Sequence, residues 1–238
     1  MLLIGMEIET LETHSFHLCS CPYWAFAPAV VIYASKWYPR NMPERVASES
    51  SIAPPKARGL IVFAHPALER ARVAPAMLRA VSPLPNFAVR DIYDLYPDMT
   101  IDVLAEQVAL AVSDFVVLQF PLYWYSVPAL LKEWLDLVWI PGWAYGKGGT
   151  VLMGKTLACA FSAGGAGNAY GPRGTNRFTI AELMRPWEQT AALCGMRWIS
   201  PFVIHGAGDL DDAALGSEST RYGKWLQVQS AKAMTVAG

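Results

Sequence analysis

The chain has 238 residues, 53% hydrophobic and only 16% charged, so it can bury a full core and is neither a disordered segment nor a charge-driven tail. Its formal net charge of −1 argues against nucleic acid, whose phosphates select basic surfaces, and against an acidic electron shuttle that steers to basic partners. No apolar run approaches the roughly 18 residues that span a bilayer, and the acidic residues before Tyr23 are wrong for a secretory leader, so a cytoplasmic protein is expected.

Residues 1–57 differ from the rest. They hold clustered aromatics, the Cys19-x-Cys21 pair and a polar, Pro-rich tail without sustained periodicity. They read as an N-terminal extension, in part without fixed structure, and residues 58–238 read as the domain. Cys19 and Cys21 stand too close for a zinc knuckle, and Cys159 lies inside a strand pattern, so buried free thiols are expected.

Within the domain, Leu60 to Ala64 is an apolar run that predicts a buried strand ending at His65-Pro66. A helix should follow through Met77 and Val81, stopped by Pro83 and Pro85. Phe87 to Asp91 predicts a second strand, and Asp102 caps a helix over Val103 to Val112. Phe115 to Gln119 predicts a third strand, leading into Leu122-Tyr123-Trp124-Tyr125. Ser126 is the expected N-cap of the next helix, with Pro128 in its first turn and Leu130, Leu131, Trp134, Leu135 and Val138 at helical spacing. The Gly-rich GWAYGKGG is expected to pack through its aromatics, at a dimer interface. Thr156 to Ser162 is a fourth strand, ending in Ala163-Gly164-Gly165-Ala166-Gly167. A helix over Thr179 to Leu193 should end at Gly195, a fifth strand should run from Met196 to Ile204, and a last helix from about Ser217 to Met234. This alternation predicts an α/β domain: a doubly wound, five-stranded parallel sheet with helices on both faces.

In that architecture the carboxyl ends of strands one, three and four lie side by side, and ligands bind there. The loop from His65 to Arg72 leads into a helix N-terminus, where free N–H groups favour a phosphate. The aromatics from Tyr123 to Tyr125 suit a flat ring, and the glycines after Ser162 let backbone N–H groups approach ring heteroatoms closely. A phosphate beside a flat heterocycle describes flavin mononucleotide, FMN.

The segments LIVFAHP, DLYPD, QFPLYWYSVPALLKEWLD, GWAYGKGG and SAGG, in this order and spacing, carry a family resemblance. From Gly59 to about Lys232 the chain resembles the flavodoxin-like NAD(P)H:quinone oxidoreductases. Within them it is most similar to the modulator-of-drug-activity type and to the ancillary reductase subunits of glutathione-gated potassium efflux systems. The resemblance implies a flavodoxin-like fold, bound FMN, NAD(P)H as electron donor, a quinone-type acceptor reduced by two electrons in ping-pong fashion, and a homodimer. It implies that Leu122, Tyr123, Trp124 and Tyr125 pack on the isoalloxazine, that Ser162, Ala163, Gly164 and Gly165 meet its polar edge, and that His65 opens the phosphate loop, where backbone amides bind the phosphate and either Arg70 or Arg72 adds charge. Tyr170 matches a tyrosine that helps in hydride transfer, and Asn176 falls near the position of that family's neighbouring histidine. Asn176 can donate a hydrogen bond but cannot shuttle a proton. Ala71 and Ala74 stand where the family usually places Ser and Asn, which implies a more weakly or differently held flavin.

Read without the family, His65 before Pro is a turn residue, Trp124 and Tyr125 are core or interface aromatics, and His205 is a satisfied histidine at a strand end. The alternative function is a regulatory ancillary subunit of a potassium efflux antiporter, a docking role that would place the protein at the inner face of the membrane.

Overall fold

The computed structural model describes residues 59–236; the expectations for residues 1–57, and for Cys19 and Cys21, lie outside them. The strands are β1 (Gly59–Phe63), β2 (Phe87–Asp91), β3 (Phe115–Pro121), β4 (Thr156–Ser162), β5 (Arg197–Trp198) and β6 (Phe202–Ile204). The helices are α1 (Val73–Val81), α2 (Ile92–Leu95), α3 (Val103–Ala111), α4 (Ala129–Val138), α5 (Ile180–Leu183), α6 (Arg185–Leu193) and α7 (Asp212–Val236). All strand pairs are parallel, in the order β2-β1-β3-β4-β5, with β6 continuing beside β4. The predicted flavodoxin-like doubly wound sheet is what forms.

Alternate strand residues face opposite layers. Leu60, Val62, Val116, Leu118, Leu157, Cys159 and Phe161 join the core under α3, α4 and α6. Ile61, Phe63, Phe115, Val117, Ala158 and Ala160 join the core under α1 and α7. This two-sided burial is why the strands read as continuous apolar runs. The order reverses between β1 and β3, since β2 lies to one side of β1 and β3 to the other. That is the topological switch point, at whose carboxyl end open α/β sheets bind ligands.

Three local expectations are corrected. Ser126 does not cap α4: its N–H donates to the Tyr123 carbonyl, and Pro128, with φ −56° and ψ 150°, occupies the cap position. The helix expected from Thr179 to Leu193 is two, separated at Met184. Pro186 has no N–H to carry an uninterrupted ladder, and Thr179 with Glu182 forms a capping box for the first piece. The fifth strand is likewise divided into β5 and β6, because Pro201 cannot donate to the ladder of β4. The segment after β2 contains a helical turn, α2, whose N-cap Asp91 accepts from the Tyr93 and Asp94 amides. Tyr93 in turn accepts from the Leu130 N–H at 3.4 Å, serving one of the free donors at the start of α4.

The GWAYGKGG segment is a built loop. Ala144 is buried, Trp143 and Tyr145 pack against the core of their own chain, and a Cβ on Gly149 would lie 2.2 Å from the Tyr145 carbonyl oxygen. Only glycine fits there. No helix of the described residues is long and apolar enough to cross a membrane.

Candidate active site

Three strand ends deliver the site. After β1, the His65 Nδ1 accepts the Ala67 N–H at 3.2 Å, which leaves the neutral ring's proton on Nε2. Burial pushes the His65 pKa below its ordinary value, opposed by the nearby Glu69 carboxylate. A 3-10 turn over Leu68–Arg70 follows, and α1 then begins without any side-chain cap. The uncapped first turn leaves the Val73 and Ala74 N–H groups without an intrahelical acceptor, and Pro75 has no N–H to add.

Of the two candidate phosphate cations, Arg70 pairs with Glu69 on the surface and Arg72 is engaged at the start of α7. The Arg72 guanidinium donates to the Leu210 carbonyl at 2.9 Å and to the Asp212 carboxylate at 2.7 Å, tying α1 to the start of α7. Ala71 packs against the α1/α7 core and Ala74 is 7% exposed within it. A polar side chain at 74 would have to leave that core to meet a ligand.

After β3, the chain makes a tight turn closed by two hydrogen bonds, Tyr123 N–H to Ser126 carbonyl at 3.1 Å and Ser126 N–H to Tyr123 carbonyl at 2.9 Å. Its two central residues, Trp124 (φ +50°) and Tyr125 (φ +62°), are both left-handed. Hairpin turns of this geometry normally use Asn-Gly or Gly-Gly. Two aromatics there store backbone strain of order 1–3 kcal/mol each. Trp124 is 94% exposed, so burial of its own indole within the chain does not repay that cost.

After β4, the Ser162 carbonyl accepts the Leu122 N–H at 2.8 Å, which fastens this loop to the aromatic turn. The Ala163 and Gly165 backbones are held by the end of β6, through Ala163 N–H to Ile204 carbonyl (2.8 Å), Ala207 N–H to Ala163 carbonyl (3.0 Å) and Gly206 N–H to Gly165 carbonyl (3.0 Å). The amides of Gly164 and Gly165 donate to nothing among the described residues. A Cβ on Gly164 would meet open space, whereas one on Gly165 would lie 3.2 Å from Asn176 Nδ2 and Tyr170 Cε2.

These loops converge. His65 and Tyr123 meet edge to face at 6.5 Å between ring centres. The Tyr125 hydroxyl donates to Asn176 Oδ1 at 3.2 Å. Asn176 and Tyr170 close over Gly165, and Tyr170 packs on His205 at 5.4 Å. His65, Leu122, Tyr123, Tyr125, Ser162, Ala163, Gly164, Gly165, Tyr170 and Asn176 thus share one neighbourhood, while Arg72 is engaged by α7. His205 was expected to be a satisfied histidine, but its Nδ1 is buried without a hydrogen-bond partner. The logic that selects the ends of β1, β3 and β4 applies to the end of β6 as well, and would have found it.

The two described cysteines are buried, with burial raising the Cys194 thiol to about 11 and the Cys159 thiol further above its ordinary value, so neither is a ready nucleophile. Among the described residues no group of three His, Cys, Asp or Glu side chains could hold a metal ion.

Comparison with known proteins places the fold in a family. A family model for the flavodoxin-like fold matches residues 57–226. The glutathione-regulated potassium-efflux system ancillary protein KefG of Cronobacter sakazakii is 42% identical over 170 residues, 71% of this chain and 92% of the relative. The structure of general stress protein 14 from Treponema denticola in complex with FMN is 36% identical, with a TM-score of 0.67 over 74% of this chain and 99% of that one. An NADPH-quinone reductase from P. pentosaceus is 34% identical, with a TM-score of 0.65 over 71% of this chain and 96% of that one.

Proposed function

The chain belongs to the flavodoxin-like fold family, and on that premise we propose that it is an FMN-dependent NAD(P)H:quinone oxidoreductase. The observation that carries the proposal is the convergence of an uncapped helix start, a strained and exposed aromatic turn, and two unbonded glycine amides at one switch point. These features fit FMN in kind: N–H groups for a phosphate, π faces for a ring, and donors for the ring's polar edge. The open space at Gly164 and the cradle of Tyr170 and Asn176 around Gly165 leave room for a planar edge that a Cβ would intrude on.

Bound there, the flavin would supply the hydride and electron chemistry between nicotinamide and quinone. The protein's part is placement. Leu122, Tyr123, Trp124 and Tyr125 form the wall against which flat rings stack, and Trp124 is held outward by its own backbone. The Gly164 and Gly165 amides oppose negative charge on the ring edge, with Ser162 and Ala163 fixing their strand end. His65 and the first-turn amides of α1 take the phosphate; Arg72 serves mainly to hold α7 against that turn. Tyr170 and Asn176 present a hydroxyl and an amide at the far side, available to orient an acceptor. One pocket that receives donor and acceptor in turn gives ping-pong kinetics. Parallel double-reciprocal lines with NADPH and a simple quinone are expected; intersecting lines from a ternary complex would remove that order of events. Trp124→Ala should lower flavin occupancy, and full occupancy with normal turnover would take Trp124 out of the site.

A second reading rests on the name of the KefG relative, an ancillary protein of a potassium-efflux system. The present chain would dock on an antiporter at the membrane's inner face while keeping its flavin site. Affinity purification from solubilised membranes that recovers such a transporter supports docking, and recovery of the chain as a homodimer alone leaves the enzyme reading by itself.

A further inference from the structure

His205 occupies an unusual place among the described residues. It follows β6, whose last residue, Ile204, accepts the Ala163 N–H, and it precedes Gly206, which donates to the Gly165 carbonyl. Its backbone is therefore laced to the loop that offers the Gly164 and Gly165 amides. Its ring packs on Tyr170 with centres 5.4 Å apart and planes at 49°. Its Cδ2 and Cγ lie 3.8 Å and 3.9 Å from where a Cβ on Gly167 would sit. The imidazole thus forms the floor of the 163–170 loop, reached from a different element of the sheet.

We propose that His205 is a positioning residue of the site, whose neutral ring holds Tyr170 and the Gly164–Gly167 loop in the form that receives the flavin's polar edge. The inference rests on the FMN reading above.

The buried Nδ1 makes the protonation state matter. In the neutral ring one nitrogen can stay bare at modest cost, but an imidazolium carries a donor on both. At Nδ1 that donor would be buried with no partner of its own. The Gly165 carbonyl favours the cation, but it already takes the Gly206 N–H, so a protonated ring shares an oxygen of the loop's own backbone. The charged groups around the ring partly offset one another: on α7, Arg221 disfavours the cation and Glu218 favours it. From the loop side the group that faces the ring is Tyr170. Burial is the largest influence and holds the His205 pKa below its ordinary value. The neutral, loop-supporting form is therefore the one the fold selects, and it gives way as pH falls.

The test is FMN affinity of the full chain by flavin fluorescence quenching, for wild type, His205→Phe and His205→Gln. Neither replacement titrates; Phe restores an aromatic floor and Gln does not. His205→Phe should bind near wild type at neutral pH and His205→Gln more weakly. Between about pH 7.5 and about pH 5.5, wild type should lose affinity by about threefold more than His205→Phe, the part of one linked pKa unit expressed before pH falls below both values. His65 and the FMN phosphate titrate in all three proteins and cancel in the comparison. Should a variant not fold, the His205 imidazole followed by NMR in wild type decides: its pKa should be lower with FMN bound than without. Parallel pH profiles, or an imidazole pKa that FMN does not move, overturn the role of His205 and leave the flavin reading intact. A wild-type chain that binds no FMN removes both.

Discussion

Trp124 shows how much one residue can carry. Its indole is almost fully exposed on a backbone that prefers glycine, so local stability is spent on presentation. Trp124→Gly should raise the unfolding free energy by about 1 kcal/mol in chemical denaturation while lowering FMN affinity by about tenfold, the worth of one aromatic contact. Loss of stability in that variant would mean the indole packs on its own chain. His65 has a pH signature that follows from its burial. Its folded pKa lies below its unfolded value near 6.5, so the unfolded chain binds the proton first. The stability His65 contributes is present above that value and is lost as pH falls through the folded pKa. His65→Gln should accordingly lose less stability than wild type on acidification from about pH 7 to about pH 5. At this scale the sequence was informative where residue type alone restricts chemistry: His65 before proline, three aromatics in a row, paired glycines. It was silent on Tyr125 meeting Asn176, or Tyr170 meeting His205, because those pairs lie 51 and 35 residues apart and no local pattern encodes them.

Elements are where sequence reading was strongest and where its errors are most regular. Strands β1 to β4 follow from apolar runs because both sheet faces are covered. The errors fall at prolines and caps. Pro128, Pro186 and Pro201 each moved a boundary or split an element, since hydrogen-bond supply rather than hydrophobic periodicity decides there. The Glu106 cluster was also illegible in the sequence. This carboxylate on α3 is fully buried, and it accepts from Arg90 Nε at 2.7 Å, from the Tyr96 hydroxyl, and from Trp134 Nε1 at 3.0 Å. It binds β2, the segment after α2, and α4 into one layer. Glu106→Ala leaves the half-buried Arg90 without its anion and should cost about 3 to 5 kcal/mol in urea unfolding. A cost under about 1 kcal/mol would show that water replaces the carboxylate. Asp91 behaves oppositely. Burial raises its pKa despite two backbone N–H donors, so ionisation at neutral pH opposes folding. Asp91→Asn keeps a competent N-cap without the charge and should leave neutral-pH stability unchanged or raise it.

Over the whole molecule, the sheet order and its switch point explain why the site lies where it does. Reversal of winding direction between β1 and β3 is a property of topology, and three chemically distinct loops then meet without any one of them being distinctive alone. The fold was legible because alternation of strand and helix is a global pattern. The phosphate end was less so: whether a cation near a helix start faces a ligand or a neighbouring helix depends on α7, and Arg72 faces α7. On the FMN reading, Ala71 and Ala74 leave that end to His65 and backbone donors, so the ring end should dominate affinity.

The most direct test of the account is the visible spectrum of the purified full chain with FMN, then with NADPH, then with a simple quinone. Flavin bands that persist after removal of free FMN, bleach with NADPH and return with quinone are the predicted result. A chain that retains no flavin, or whose bound flavin neither NADPH nor quinone alters, would contradict it.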